Sequence, residues 1–280
     1  MRRVAVKIAY LGDGFSGSQI QPASRNLRTV QGEILEKLIS IDRVPEDRID
    51  LRFASRTDAG VSALGNVIVF YTEFKDNGTL LKAMNSVSDG VYYTAIADVP
   101  DSFNPRVAAK RYYRYTYPSH GIDTGKFTEA AKLFEGHHDF VRFAKNETGR
   151  STVMAIDSVT VTVSDDIISV DFCADFFLWN MIRRIMAAVI EVGKDMTDCE
   201  DIKRKLAGED GTFGLAKPDG LTLMDVTYDD VVFEKPDECP YARNLRRDLY
   251  LDHVRTEFHK SLRARKSLVV RIGLNASLNY

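Results

Sequence analysis

The sequence predicts an α+β protein that opens with a ferredoxin-like βαββαβ unit. Four stretches up to Val99 have the β-branched and aromatic content of strands. Two stretches among them repeat apolar residues every three to four positions, as helices do. The resulting order is strand, helix, strand, strand, helix, strand. With 280 residues, 44% of them apolar, the chain can build one large domain or two.

Val4, Val6, Ile8 and Tyr10 alternate with Ala5, Lys7 and Ala9, which predicts a half-buried first strand. Gly12 to Pro22 is a loop dense in glycine and polar groups, without the Lys-Ser/Thr ending of a P-loop. Thr29 can cap a helix to about Ile39, with Val30, Ile34, Leu35 and Leu38 on one face. Ile49–Ala54 and Gly65–Phe70 read as strands around Ser55-Arg56-Thr57-Asp58-Ala59-Gly60-Val61-Ser62-Ala63. There a glycine allows a sharp turn, and a carboxylate follows an arginine by two positions. That spacing also fits a plain strand-end loop with a surface ion pair. Gly78–Val87 reads as a helix capped by Asn77 or Thr79, with Leu80, Leu81, Met84 and Val87 inward, and Val91–Val99 as a strand.

Phe103 to Tyr117 holds four cations, four tyrosines and no acid. As a strand, Lys110–Tyr117 places Arg111, Tyr113, Tyr115 and Tyr117 on one face. Rings stack on bases while cations hold phosphates, so the stretch suits a single-stranded or flipped nucleotide. It equally suits a tyrosine-rich central strand with exposed arginines. Phe127–Glu135 predicts a helix, followed by the pair His137-His138, which has no ligand-spaced partner. Beyond a polar loop at Asn146–Ser151, two strands are expected at Val153–Val163 and Ile167–Cys173, turning at Ser164-Asp165-Asp166. Phe176–Val192 is the strongest helix, with Leu178, Met181, Ile182, Ile185 and Val189 in one stripe. Periodicity alone makes Arg183 and Arg184 solvated. Asp198–Leu206 is a further short helix.

The three cysteines, Cys173, Cys199 and Cys239, are far apart and odd in number, which argues against a disulfide framework or a CxxC metal site. The N-terminus runs directly into a strand, and no stretch approaches the roughly 18–20 apolar residues of a membrane span. A cytoplasmic setting without membrane contact is expected. Net charge is only −2, yet residues 240–280 carry nine Lys/Arg against three Asp/Glu, leaving the rest at −8. Such segregation suits a localised phosphate-facing surface, or simply a basic solvated helix.

Five motifs, in order, resemble the TruA family of tRNA pseudouridine synthases, in its archaeal-like form. They are Asp13-Gly14-Phe15-Ser16-Gly17-Ser18-Gln19-Ile20-Gln21, Arg56–Val61, Phe103 to Tyr117, Phe177-Leu178 with Met181-Ile182-Arg183, and Ala216 to Leu221. Ser18 departs from the family, which usually has an aromatic residue there. The resemblance covers about residues 3 to 233 and implies the pseudouridine synthase fold. In that fold two ferredoxin-like halves share an extended, mainly antiparallel sheet with helices on one face. Residues 1–105 would form the half carrying the Asp loop, residues 106–235 the second, and residues 236–280 a basic extension.

The resemblance further implies Asp58 as nucleophile, Arg183 as its charge partner and Tyr113 as a ring against the uracil, with a part in proton transfer left open. A guanidinium stays protonated and grips a carboxylate in a planar fork, which suits such a pairing. Arg56 would displace or hold the target nucleotide. Phe103 and Gln19 would join the RNA-binding surface, while Arg106, Arg111 and Arg114 would meet phosphates. The implied substrate is tRNA, at nucleotides 38 to 40 of the anticodon arm, and the implied assembly is a homodimer. Neither a nucleotide cofactor nor a metal is expected, because the isomerisation involves no redox step or phosphate transfer. Two other readings fit the same residues: a noncatalytic RNA-binding protein, and an Asp-dependent hydrolase of glycosidic bonds.

Overall fold

The computed structural model describes residues 1–22, 27–145, 148–236 and 240–276. Cys239, and Asn146 and Glu147 of the polar loop, lie outside the described residues. The first strand is β1 (Arg2–Tyr10), followed by helix α1 (Val30–Ile41). Thr29 caps α1 as expected, its hydroxyl accepting the Gly32 N–H at 3.2 Å. A single-turn helix α2 (Glu46–Ile49) leads into β2 (Arg52–Phe53), and β3 (Ser62–Thr72) follows the Asp58 loop. Helix α3 (Asn77–Val87) and strand β4 (Val91–Asp98) complete the first unit. Both candidate caps for α3 give way to Asp76, which accepts the Thr79 N–H at 2.7 Å.

The second set begins with β5 (Lys110–Pro118) and α4 (Thr124–Lys132). Helix α4 starts and ends three residues earlier than periodicity suggests, because Asp123 caps it by accepting the Gly125 and Lys126 N–H groups. Strands β6 (Gly136–Asp139) and β7 (Val153–Ile156) form a separate two-stranded sheet. They are followed by β8 (Ser158–Ser164) and β9 (Ile167–Ala174). The single strand expected over Val153–Val163 is thus two, divided at Asp157, because its halves pair in different sheets. Helices α5 (Met181–Gly193) and α6 (Cys199–Leu206) precede the last strand, β10 (Leu221–Thr227).

An eight-stranded sheet runs in the order β4-β1-β3-β10-β5-β9-β8, with β2 also paired to β3. Its spatial logic is one motif used twice. The first unit has the order β4-β1-β3-β2, and the second has β10-β5-β9-β8, the same fourth-first-third-second arrangement of a βαββαβ unit. The two meet on one edge of β3. Strand β10 pairs parallel with Ser62 and Ala63, while β2 pairs antiparallel with Ile68 and Val69. Every other pairing in the sheet is antiparallel.

That meeting explains why the strand expected over Ile49–Ala54 shrinks to two residues. Pro45 initiates α2, Asp50 turns left-handed at φ 48°, and β10 occupies the rest of the edge. Ile49 is still buried, but from the end of a helical turn. The predicted stripe of α5 is also buried, yet the helix begins at Met181 and not at Phe176. Asn180, left-handed at φ 61°, interrupts the backbone before it. Phe176 to Trp179 are therefore loop, their apolar character having another use described below.

The chain divides into two units, Met1–Pro236 and Asp237–Tyr280, the second containing α7 (Ala242–Ala276). Among the described residues no helix is long and apolar enough to cross a membrane.

Within the first unit, the buried side chain of Asn85 joins α3 to β4. Its amide donates to the carbonyls of Leu81 and Tyr93 at 2.9 Å each and accepts the Tyr93 N–H at 3.0 Å. Asn85→Ala strands these buried backbone groups and is expected to cost about 2–3 kcal/mol. Urea unfolding measures this; a loss below about 0.5 kcal/mol would show that the amide holds nothing.

Candidate active site

The Asp58 loop leaves the sheet where β2 ends and returns where β3 meets β10. Two buried side chains hold its backbone, and a third, Tyr10, holds the side chain of Thr57. Asn66, fully buried on β3, donates to the Ser55 carbonyl at 2.9 Å and accepts the Ser55 N–H at 3.3 Å. The Ser18 hydroxyl accepts the Thr57 N–H at 2.8 Å, and the Ser18 N–H donates back to the Thr57 carbonyl at 3.0 Å. Thr57 Oγ1 lies 2.9 Å from the Tyr10 hydroxyl. Ser18 is therefore a buried pin on the loop and offers no stacking surface.

Close backbone approach imposes glycine at two positions. A Cβ on Gly12 would lie 2.3 Å from the carbonyl carbon of Gly60, inside any permitted contact. Gly17 runs at φ 103° beside the Thr57 carbonyl, in a region that side chains disfavour. The first motif thus fits its backbone against that of the second.

Asp58 faces a cleft of about 710 Å³. Arg183 Nη1 donates to its Oδ2 at 2.9 Å, and the Trp179 indole N–H donates to Oδ1 at 3.3 Å. The Asp58 side chain is 36% exposed and that of Arg183 13%, so the carboxylate opens to the cleft beside a largely buried partner. Arg183 is fixed from behind: its Nε donates to the Ala216 carbonyl at 2.8 Å, and the Ala216 N–H returns to the Arg183 carbonyl at 3.0 Å. The Tyr115 hydroxyl donates to the Lys217 carbonyl at 2.9 Å, steadying the same segment. Motifs distant in sequence thus converge on one carboxylate.

Tyr113 lines the cleft and is buried, with its ring edge-on to Phe177 at 5.2 Å and 83°. Burial pushes its phenol up to about 12, against the opposing pull of Arg111 and a hydrogen bond to Ser55. At neutral pH it is an uncharged ring and a hydrogen-bond donor.

Asp58, Arg183, Tyr113, Arg56, Arg106, Arg111 and Gln19 all line this cleft. Two expected contributors do not. Phe103 packs edge-on to Tyr228 at 5.0 Å, and Arg114 projects from the other face of β5 into a two-pronged pair with Asp171 at 2.8 and 3.0 Å. Alternation along β5 separates Arg114 from Arg111 and Tyr113. Arg111 also differs from its expected phosphate role. Its buried guanidinium donates to Ser55 Oγ at 3.1 Å, to the carbonyls of Arg106 and Ala54 at 2.9 and 3.3 Å, and to the Asp175 carbonyl. Desolvation lowers its pKa, and its donors are spent holding the loop.

Sequence reasoning missed Trp179 and Lys145, whose ammonium sits 3.7 Å from the centre of the Trp179 ring. Trp179 is the chain's single tryptophan and stands four residues before Arg183. Assigning Phe176–Asn180 to a helix hid its position at the cleft. A smaller neighbouring cavity of about 400 Å³ shares Gln19, Arg56 and Arg106 with the main one. Among the described residues no group of three His, Cys, Asp or Glu could hold a metal ion, His137 and His138 included.

Fold and site together define an α+β enzyme class with an arginine-paired carboxylate in a cleft bordered by cations and aromatic rings. The family description "tRNA pseudouridine synthase" matches residues 130–229. The "tRNA pseudouridine synthase A" of Pyrococcus abyssi is 40% identical over 241 residues, covering 85% of this chain and 89% of that protein. Its namesake in Methanosarcina acetivorans is 38% identical over 258 residues, covering 87% and 94%. The chain belongs to this tRNA pseudouridine synthase family. Among solved structures, a Cbf5-Nop10-Gar1 complex aligns at 15% identity over 67% of this chain and 45% of that one. Its TM-score of 0.33 is too low to carry weight.

The buried phenols make alkaline pH a test of the site's interior. Tyr113 and Tyr115 are both pushed up to about 12 by burial. Exposed tyrosines ionise near 10, so the unfolded chain releases these protons first, and folded stability falls as pH rises from about 10 to about 12. Tyrosinate absorbance recorded alongside circular dichroism should show an early phase with the fold intact and a late phase that accompanies unfolding. A single phase near pH 10 in an intact fold would contradict the burial.

Proposed function

We propose that this synthase isomerises uridines of the tRNA anticodon stem-loop, at positions 38 to 40, with Asp58 as the nucleophile. The supporting observation is the pairing of Asp58 with Arg183 on the wall of a cleft that also presents Tyr113. Conversion of uridine to pseudouridine breaks the N1–C1′ bond and forms C5–C1′. One proton leaves C5 and one arrives at N1, so the chemistry balances internally. Asp58 supplies the carboxylate that attacks the nucleoside, Arg183 orients it, and Tyr113 with Phe177 forms the wall that retains the detached base.

The target must leave its stack to reach Asp58. Arg56 and Arg106 are exposed, and neither guanidinium has an ion-pair partner among the described residues. Both suit contacts to the displaced nucleotide and its phosphates. Residues 1–105 and 106–235 act as the two halves flanking the cleft, and residues 236–280 as a basic extension. A homodimer in the cytoplasm completes the reading, as the family resemblance implies.

Chemical mapping of pseudouridine in unmodified tRNA tests the proposal. Wild-type protein should modify the anticodon arm, and Asp58→Ala should fall below detection while retaining tRNA affinity within about threefold. Modification by Asp58→Ala would remove that carboxylate from the chemistry, and free uracil as product would indicate a hydrolase. Arg183→Ala should lower kcat by about a hundredfold or more, as losing a charge-assisted hydrogen bond at a reacting group does. An equal loss in tRNA binding would make Arg183 chiefly a binding residue.

A further inference from the structure

We propose that Trp179 caps the nucleophile in the resting enzyme and that the incoming uracil displaces it, an inference that rests on Asp58 being that nucleophile. Asp58 has two oxygens. Oδ2 is held by Arg183, which is itself braced on both sides by the backbone of Ala216. Oδ1 is the oxygen left for attack, and the Trp179 indole N–H occupies it. A lone pair engaged by a donor is a weaker nucleophile, so this bond must open before Asp58 reacts.

The geometry suits a cap that opens. At 3.3 Å the hydrogen bond is long, and Trp179 is 45% exposed. Its ring is met by the Lys145 ammonium. The backbone, in contrast, is fixed. The Lys145 N–H donates to the Trp179 carbonyl at 2.8 Å, and the Arg184 N–H donates to the Asn180 carbonyl at 3.0 Å. The indole can therefore rotate away without moving Arg183 or unwinding α5. A base entering the cleft offers a flat surface on which the displaced ring can stack.

Because Trp179 is the only tryptophan, fluorescence excited selectively at the indole reports on the surroundings of this one side chain. Unmodified tRNA is titrated into wild-type protein beside the same tRNA carrying cytidine at the mapped target uridines, with binding of both followed by gel shift. A saturable emission change with the uridine form, absent with the bound cytidine form, supports displacement by the base. No change with either, or the same change with both, overturns it.

Trp179→Phe keeps a ring and deletes the donor. With the cap gone, the binding-competent fraction rises, and KM for tRNA should fall by about three- to tenfold while kcat holds within about twofold. Unchanged KM, or a kcat loss with KM intact, overturns the proposal, the latter assigning the indole to the reaction itself. Circular dichroism and gel shift confirm that the variant folds and binds. If Asp58 is not the nucleophile, Asp58→Ala remains active. If only the cap is wrong, Asp58→Ala is inactive and the Trp179 signals stay flat.

Discussion

The bond between Arg183 and Asp58 is the constraint that organises the rest. It joins a side chain at the start of α5 to a loop between β2 and β3, 125 positions away in sequence. With its carboxylate partner open to the cleft, this ion pair contributes little to stability, since water competes for Asp58. Its value here is positional. The guanidinium has its other contacts in the backbone at Ala216, so the carboxylate is aligned by a group that is itself immobilised. This arrangement fixes one oxygen of Asp58 and leaves the other to face the cleft.

Such alignment depends on how the two βαββαβ units are joined. Strand β10 closes the second unit and lies parallel against the first two residues of β3. The Asp58 loop enters β3 at that same point, and the Ala216 segment enters β10 there. Gly60 lies at φ 82°, where an added Cβ would come within 3.0 Å of Pro218, so the two chain segments already touch. Shortening β2 to two residues is what frees this stretch of the β3 edge. The cleft is thus a consequence of an incomplete strand in one unit being completed by the other.

Much of this was legible in the sequence, and the failures have physical causes. Alternation along β5, the stripe of α5 and the Thr29 cap appear where local pattern places them, whereas β1, expected to be half-buried, is covered on both faces, with Ala5 and Ala9 buried as well as Val4, Val6, Ile8 and Tyr10. The pairing of Asp58 with Arg183 was legible only through resemblance, because periodicity treats Arg183 as one more solvated cation. Arg114 and Arg111 show the limit more sharply. Both lie in a strand of mixed cations and tyrosines, but one is paired outside the cleft and the other is buried among carbonyls. Composition records the charges, whereas only tertiary contacts decide which of them remain available. Trp179 was missed because an apolar run ahead of a helix reads as more helix until a left-handed residue breaks it.

The buried Arg111 also bears on where motion can occur. A desolvated guanidinium is costly unless its donors are matched, and here they meet Ser55 Oγ and the carbonyls of Ala54, Arg106 and Asp175. Two of these partners lie in the run leading to Asp58, and Asn66 and Ser18 clamp the same run further along. Opening the loop would strand several buried polar groups at once, so Asp58 cannot be repositioned by loop movement at modest cost. Whatever rearranges to admit a base must lie on the other side of the cleft or at its rim. The exposed side chains there, Arg56, Arg106 and Trp179, carry no comparable network and can rotate individually. Rigidity beneath Asp58 and freedom above it are therefore two results of the same distribution of buried hydrogen bonds.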